Sequence, residues 1–155
     1  MHKKRDPEKS LYFIQNREEK MVDISKEVFE IANKPGRIGV LATASKQGDP
    51  NVAYFGSPRL IEDGTFIMGL GNNRTLKNLE ENPKAVLFTI TESPVTFNTP
   101  GYRLYLEVQE IQKEGLIIDG VRDKITEHAG AEAAKMIVAG VVFNITDIRT
   151  LLEMV

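Results

Sequence analysis

Apolar positions follow two periods along the chain, and the order in which the periods alternate predicts the elements. In VDISKEVFEIAN (22–33), Val22, Ile24, Val28, Phe29 and Ile31 recur at spacings close to one helical face. Asp23 or Ser25 is available as a cap, and Lys34-Pro35-Gly36 as the stop. From residue 37 the pattern is that of strands: RIGVLATA (37–44), NVAYFGSPRLI (51–61) and TFIMGL (65–70), separated by the turns SKQGDP (45–50) and Glu62-Asp63-Gly64. Asp63-Gly64 between two apolar runs is the strongest hairpin signal. A short helical pattern over 74–82 closes at Asn82-Pro83, and the strand KAVLFTIT (84–91) follows. Beyond a polar, proline-bearing loop, ESPVTFNTPG (92–101), the segment YRLYLEVQEI (102–111) alternates. Tyr102, Leu104, Leu106 and Val108 point one way; Arg103, Tyr105, Glu107 and Gln109 point the other, toward water or a partner. A helix over about 116–128 and a last strand or pair of strands over about 136–149 complete the chain. The sum is a mainly-β (α+β) chain, a small antiparallel barrel capped by helices.

Composition narrows what such a barrel can do. The 155 residues suit one domain, read here as residues 22–155 behind an N-terminal extension, 1–21. The formal net charge of −2 gives no footprint for nucleic acid, and the one basic cluster, His2-Lys3-Lys4-Arg5, is answered by Asp6, Glu8, Glu18 and Glu19. The absence of cysteine removes disulfides, thiolate nucleophiles and thiolate-bound metals, and two histidines, His2 and His128, are too few for a multi-histidine metal site. The longest apolar run, Met136 to Phe143, is too short to cross a bilayer, so a cytoplasmic protein without membrane attachment is the expectation.

Chemistry concentrates in GLGNNRTLKNLEENPKAV (69–86), where a strand runs into glycine, two asparagines and a helix that opens with Arg74-Thr75. A helix N-terminus offers unpaired N–H groups and a positive dipole end, and Arg74 adds a planar, permanent cation and Thr75 a hydroxyl, a combination suited to phosphate. Gly69 and Gly71 would let a ligand approach the backbone. The same residues also suit a plain cap by Asn72 or Asn73 on a helix whose charges are solvated, or an Arg74 paired with Glu80 or Glu81.

A longer pattern favours the ligand. From Gly48 to Pro83 the chain resembles the flavin-binding core of the pyridoxamine 5'-phosphate oxidase-like family of split β-barrels. The likeness is carried by Gly48, Pro50, Gly64, Arg74, Leu79, Asn82 and Pro83, with Leu41-Ala42-Thr43 like the family's LAT strand. It extends over about residues 25–111, and AAKMIVAGVVFNITDIR looks like the last strands of small members. The resemblance implies a six- to seven-stranded antiparallel split β-barrel with peripheral helices, bound FMN, and a homodimer holding the flavin at the protomer interface. It departs from the true oxidase in three places. Thr75 replaces the lysine of the phosphate pair, Ala53 and Pro58 stand where the oxidase carries an arginine and a lysine, and no terminal arginine-histidine pair is present. Pyridoxamine phosphate is therefore not the expected substrate.

The candidate cofactor-binding residues are Arg74 and Thr75 for the phosphate, Thr43, Ala53 and Tyr54 around a flat apolar slot, and Asn73 and Leu70 beside them. Ala42, Val52 and Ala53 also suit ordinary strand packing. Tyr54, Phe97, Tyr102 and Tyr105 are candidate stacking partners that equally suit a core or an interface. No catalytic residue is assigned. The expected function is FMN-dependent oxidoreduction through flavin N5, with a small-molecule substrate or electron donor. The alternatives are a non-catalytic flavin carrier or electron-transfer protein, and a relative binding coenzyme F420 or haem. Loops 92–101 and 112–120 are where substrate choice is expected.

Overall fold

The computed structural model describes residues 22–91 and 95–153; the N-terminal extension with its basic cluster lies outside the described residues. Seven strands form one antiparallel sheet: β1 (Ile38–Ala44), β2 (Pro50–Tyr54), β3 (Arg59–Leu60), β4 (Thr65–Leu70), β5 (Lys84–Ile90), β6 (Gly101–Gln112) and β7 (Ala139–Thr150). Their spatial order is β2-β1-β5-β6-β7-β4-β3, which agrees with the mainly-β split barrel expected. Among the described residues four helices accompany the sheet: α1 (Lys26–Ala32), α2 (Arg74–Glu81), α3 (Leu116–Ala129) and α4 (Ala131–Lys135). None of them is long and apolar enough to cross a membrane.

Local chemistry explains most boundaries. Ser25 caps α1, its Oγ accepting from Val28 N. Gly48 and Gly64 take φ values of 90° and 84°, a left-handed backbone that favours glycine, in the two hairpin turns. The run 51–61, expected as one strand, breaks at residues 55–58. Pro58 has no N–H to give a ladder, and its carbonyl accepts instead from Arg37 Nη2. Arg37 Nε donates to Ala32 O at the end of α1. Arg37 is 8% exposed; burial, and secondly Arg59, lower its pKa from the ordinary value. Helix α4 was not foreseen, and the expected loop 112–120 shrinks to the three residues between β6 and α3.

Inward-facing Leu41, Leu87, Leu104, Phe66, Val141 and Phe143 build the core, with Val28 of α1 and Leu76 and Leu79 of α2 packed into it. The edge strand β3 is blunted by a side chain. Asn33 Nδ2 donates to Leu60 O at 2.8 Å, and Leu60 N donates to Asn33 Oδ1 at 2.9 Å, so one amide stands in for a neighbouring strand.

Candidate functional site

The chain leaves β4 at Leu70, turns through Gly71, Asn72 and Asn73, and lays α2 against β1 and β2. Asn73 caps α2 by accepting from Leu76 N at 3.0 Å, leaving the Arg74 and Thr75 N–H groups without intrahelical acceptors. The helix turns Thr75, Leu76, Asn78 and Leu79 inward. Two polar pairs anchor that underside: Asn51 Nδ2 donates to Thr75 Oγ1 across a long 3.4 Å, and Asn78 Nδ2 donates to Thr43 Oγ1 at 3.0 Å. Asn78 was missed by sequence reasoning; the signal was its i, i+3 spacing from Thr75, which places both on one helix face.

The Arg74 side chain is exposed and has no ion pair or hydrogen bond among the described residues. The pairing with Glu80 or Glu81 considered from sequence is corrected. Glu80 Oε1 meets Lys113 Nζ at 2.8 Å, and Glu81 Oε2 accepts from Lys46 N at 3.2 Å. The reading of Gly69 and Gly71 as room for a ligand is corrected too. A Cβ at Gly69 would stand 2.6 Å from Val121 Cγ1 and 3.1 Å from Ile137 Cγ2, and one at Gly71 would stand 3.2 Å from Met136 O. The chain's own segment from α3 to β7 occupies that space.

The other candidate residues separate by strand face. Leu70 is wholly buried, its carbonyl accepting from Val138 N at 2.9 Å. Thr43 is buried on the inner face and Ala53 is half-buried, paired with Leu41. Tyr54 lies on the outer face, paired with Val40, and Val40 in turn pairs with Phe88. The next row reads Val52, Ala42, Val86, Tyr105. Val52 and Tyr54 are 66% and 67% exposed, so the β2 side of this apolar face has no cover among the described residues, while Val40, Val86 and Phe88 are half-buried. A groove of about 600 Å³ opens on it, lined by Ala42, Ala44, Val86, Tyr105, Lys84 and Glu107 among others.

The remaining aromatics differ in setting. Phe97 is almost fully exposed in its loop. Tyr102 packs against the core, and burial followed by Glu27 raises its pKa above the ordinary value. His128 lies in the last turn of α3 with Nδ1 2.9 Å from Lys124 O, as suits a helix C-terminus.

The pyridoxamine 5'-phosphate oxidase family model matches residues 24–147, which include every strand but the last residues of β7. The chain belongs to the pyridoxamine 5'-phosphate oxidase family. It is 30% identical over 99 residues to the uncharacterized protein MJ0282 of Methanocaldococcus jannaschii, a match covering 62% of this chain and 66% of that protein. The chain thus spans just under two thirds of the curated relative's length. An FMN-binding protein from Syntrophomonas wolfei superposes with a TM-score of 0.73 at 21% identity, over 96% of both chains. HutZ, the haem storage protein from Vibrio cholerae, gives 0.61 at 17% identity over 83% of this chain and 95% of that one. An F420 reductase gives 0.62 at 12% over 81% and 98%. These structural likenesses show the fold.

Proposed function

We propose that this family member binds FMN, works as a homodimer and is an oxidoreductase. The observation that carries the reading is Arg74: an exposed cation without a partner among the described residues, at a helix start with two N–H groups free of intrahelical acceptors. These donors fit a phosphate monoester. The fit uses one fixed cation, and Thr75 contributes its backbone N–H, since its hydroxyl is turned in beside Asn51. The neighbouring edge strand β2, with Ala53 and Tyr54, would border the flat ring. Bound flavin supplies hydride or electron transfer through N5, while the chain binds, orients and tunes it.

A second copy is the proposed cover for the outer face of β2, β1, β5 and β6, where Val52 and Tyr54 stand exposed. A flavin carrier without a substrate pocket uses the same site and is the first rival. Coenzyme F420, with its longer polyanionic tail, asks for cations that the loop 92–101 lacks. Haem held by imidazole finds the one described histidine, His128, on α3 and away from this face.

The deciding experiment is a visible absorption spectrum of the purified protein before and after added FMN, with mass spectrometry of what denaturation releases. Flavin absorbance with FMN released is expected, and Arg74→Ala should weaken FMN binding at least about tenfold. A colourless protein that ignores FMN overturns the reading and sends the titration to haem and F420. Oxidation of NADH or NADPH with and without the protein then separates enzyme from carrier.

A further inference from the structure

We propose that β6 and β7 carry a small-oxyanion site, built from Arg103, Arg149 and Tyr105, which the chain's own Glu153 fills and which a carboxylate or phosphate group of a ligand takes over. This inference uses other cations than the FMN reading, and its test needs no flavin, although Arg103 and Tyr105 continue the outer-face rows of Phe88 and Val86.

The strand register sets Arg103 directly opposite Arg149. Like charges in that position destabilise a strand pair, so the two arginines call for an anion between them. Glu153 supplies it with one atom: its Oε2 accepts from Arg103 Nη2 at 3.0 Å and from Arg149 Nη1 at 3.1 Å.

Both guanidinium groups are positioned by contacts that do not involve Glu153. Arg103 Nε donates to Thr150 O at 2.9 Å, and its Nη1 donates to the Tyr105 hydroxyl at 3.4 Å. Arg149 Nε donates to Asp147 Oδ2 at 2.7 Å, and the Arg149 guanidinium carbon lies 5.4 Å from the centre of the Tyr105 ring. The forks are therefore pre-organised, and removing Glu153 leaves two cations against Asp147 alone.

Glu153 is easily displaced. It lies beyond the last residue of β7, its side chain is 43% exposed, and a solvated ion pair of this kind binds weakly and is screened by salt. A group with several oxygens uses the forks better than a single carboxylate oxygen does. Tyr105 also lines the groove of about 600 Å³, so the rest of a small anionic molecule has space beside the pair.

The test is a titration with inorganic phosphate at constant ionic strength, followed by phosphorus NMR. The full chain carries Arg74→Ala throughout, so that phosphate at α2 does not enter the result. Glu153→Gln is expected to tighten phosphate binding about fivefold or more, because the competing carboxylate is gone. Adding Arg149→Ala to Glu153→Gln should return binding to the parent value or below. Arg149→Lys, which keeps the charge but not the fork, serves in its place if thermal melting shows the alanine variant unfolded, and should lose most of the gain. Unchanged phosphate affinity in Glu153→Gln, no phosphate binding in any variant, or a gain that survives the change at Arg149 would each overturn the proposal.

Discussion

The outer face of the sheet is treated in two opposite ways. On β4 and β7, Gly69 and Gly140 are paired in register and make a flat seat. Helix α3 rests there so closely that a Cβ at Gly140 would stand 3.1 Å from the Ile118 backbone. On β2 and β5 the outer positions carry Val52, Tyr54, Val86 and Phe88; Val86 and Phe88 are half-buried, whereas Val52 and Tyr54 at the edge stand open among the described residues. Glycine on an outer face admits the chain's own helix, whereas larger apolar residues left in the open call for another surface.

The largest test of that contrast is overpacking the seat. Gly69→Val should cost about 2–3 kcal/mol of stability in denaturant unfolding, because Val121 is β-branched and cannot swing aside. Val52→Ser on the open face should change monomer stability by less than about 0.5 kcal/mol. Equal costs at the two sites would break the comparison. The open face is sharpened by Val52→Glu, which should weaken self-association by about 2 kcal/mol and lower the molar mass seen by light scattering at micromolar protein. A parent chain that is monomeric at every concentration would remove the second copy from the account. Next in size is Arg74→Ala, the tenfold loss of FMN affinity that corresponds to about 1.4 kcal/mol, with the fold unchanged because Arg74 is exposed.

The smallest expected effect is in acid. The Arg149 hydrogen bond, above all, holds the Asp147 carboxyl below its usual range. Its contribution to stability is therefore present above the unfolded carboxyl value of about pH 4 and is lost as pH falls through the lower native value. The exposed pair makes this a slight slope. Asp147→Asn should flatten it; an unaltered melting temperature against pH in that variant would show that other carboxyls carry the acid dependence.

Much of this was legible from local chemistry. Strand periods, the turns at Gly48 and Gly64, the caps Ser25 and Asn73 and the helix start at Arg74 rest on interactions within a few residues, which a linear pattern records. The family resemblance added the split form of the barrel and the expectation of a flavin. Reading the site was harder wherever two facts from distant parts of the chain had to be combined. Thr75 reads as an available hydroxyl until Asn51 is placed beside it, and nothing in the strand pattern of 37–44 shows that the carbonyls of Ala32 and Pro58 enclose Arg37.

By itself, then, the sequence determined the alternation of strands and helices, the tight turns, the helix N-terminus with its cation, and the lack of thiolate chemistry. Tertiary structure decided what fills each space: that α3 closes over Gly69, that Asn33 seals β3, that Arg74 keeps no partner among the described residues while Arg103 and Arg149 share Glu153. The reason is physical. Propensity and capping act over one turn of chain, whereas steric exclusion and charge pairing depend on which strands become neighbours. In this sheet β4 lies beside β7 and β1 beside β5, pairings that no local pattern encodes.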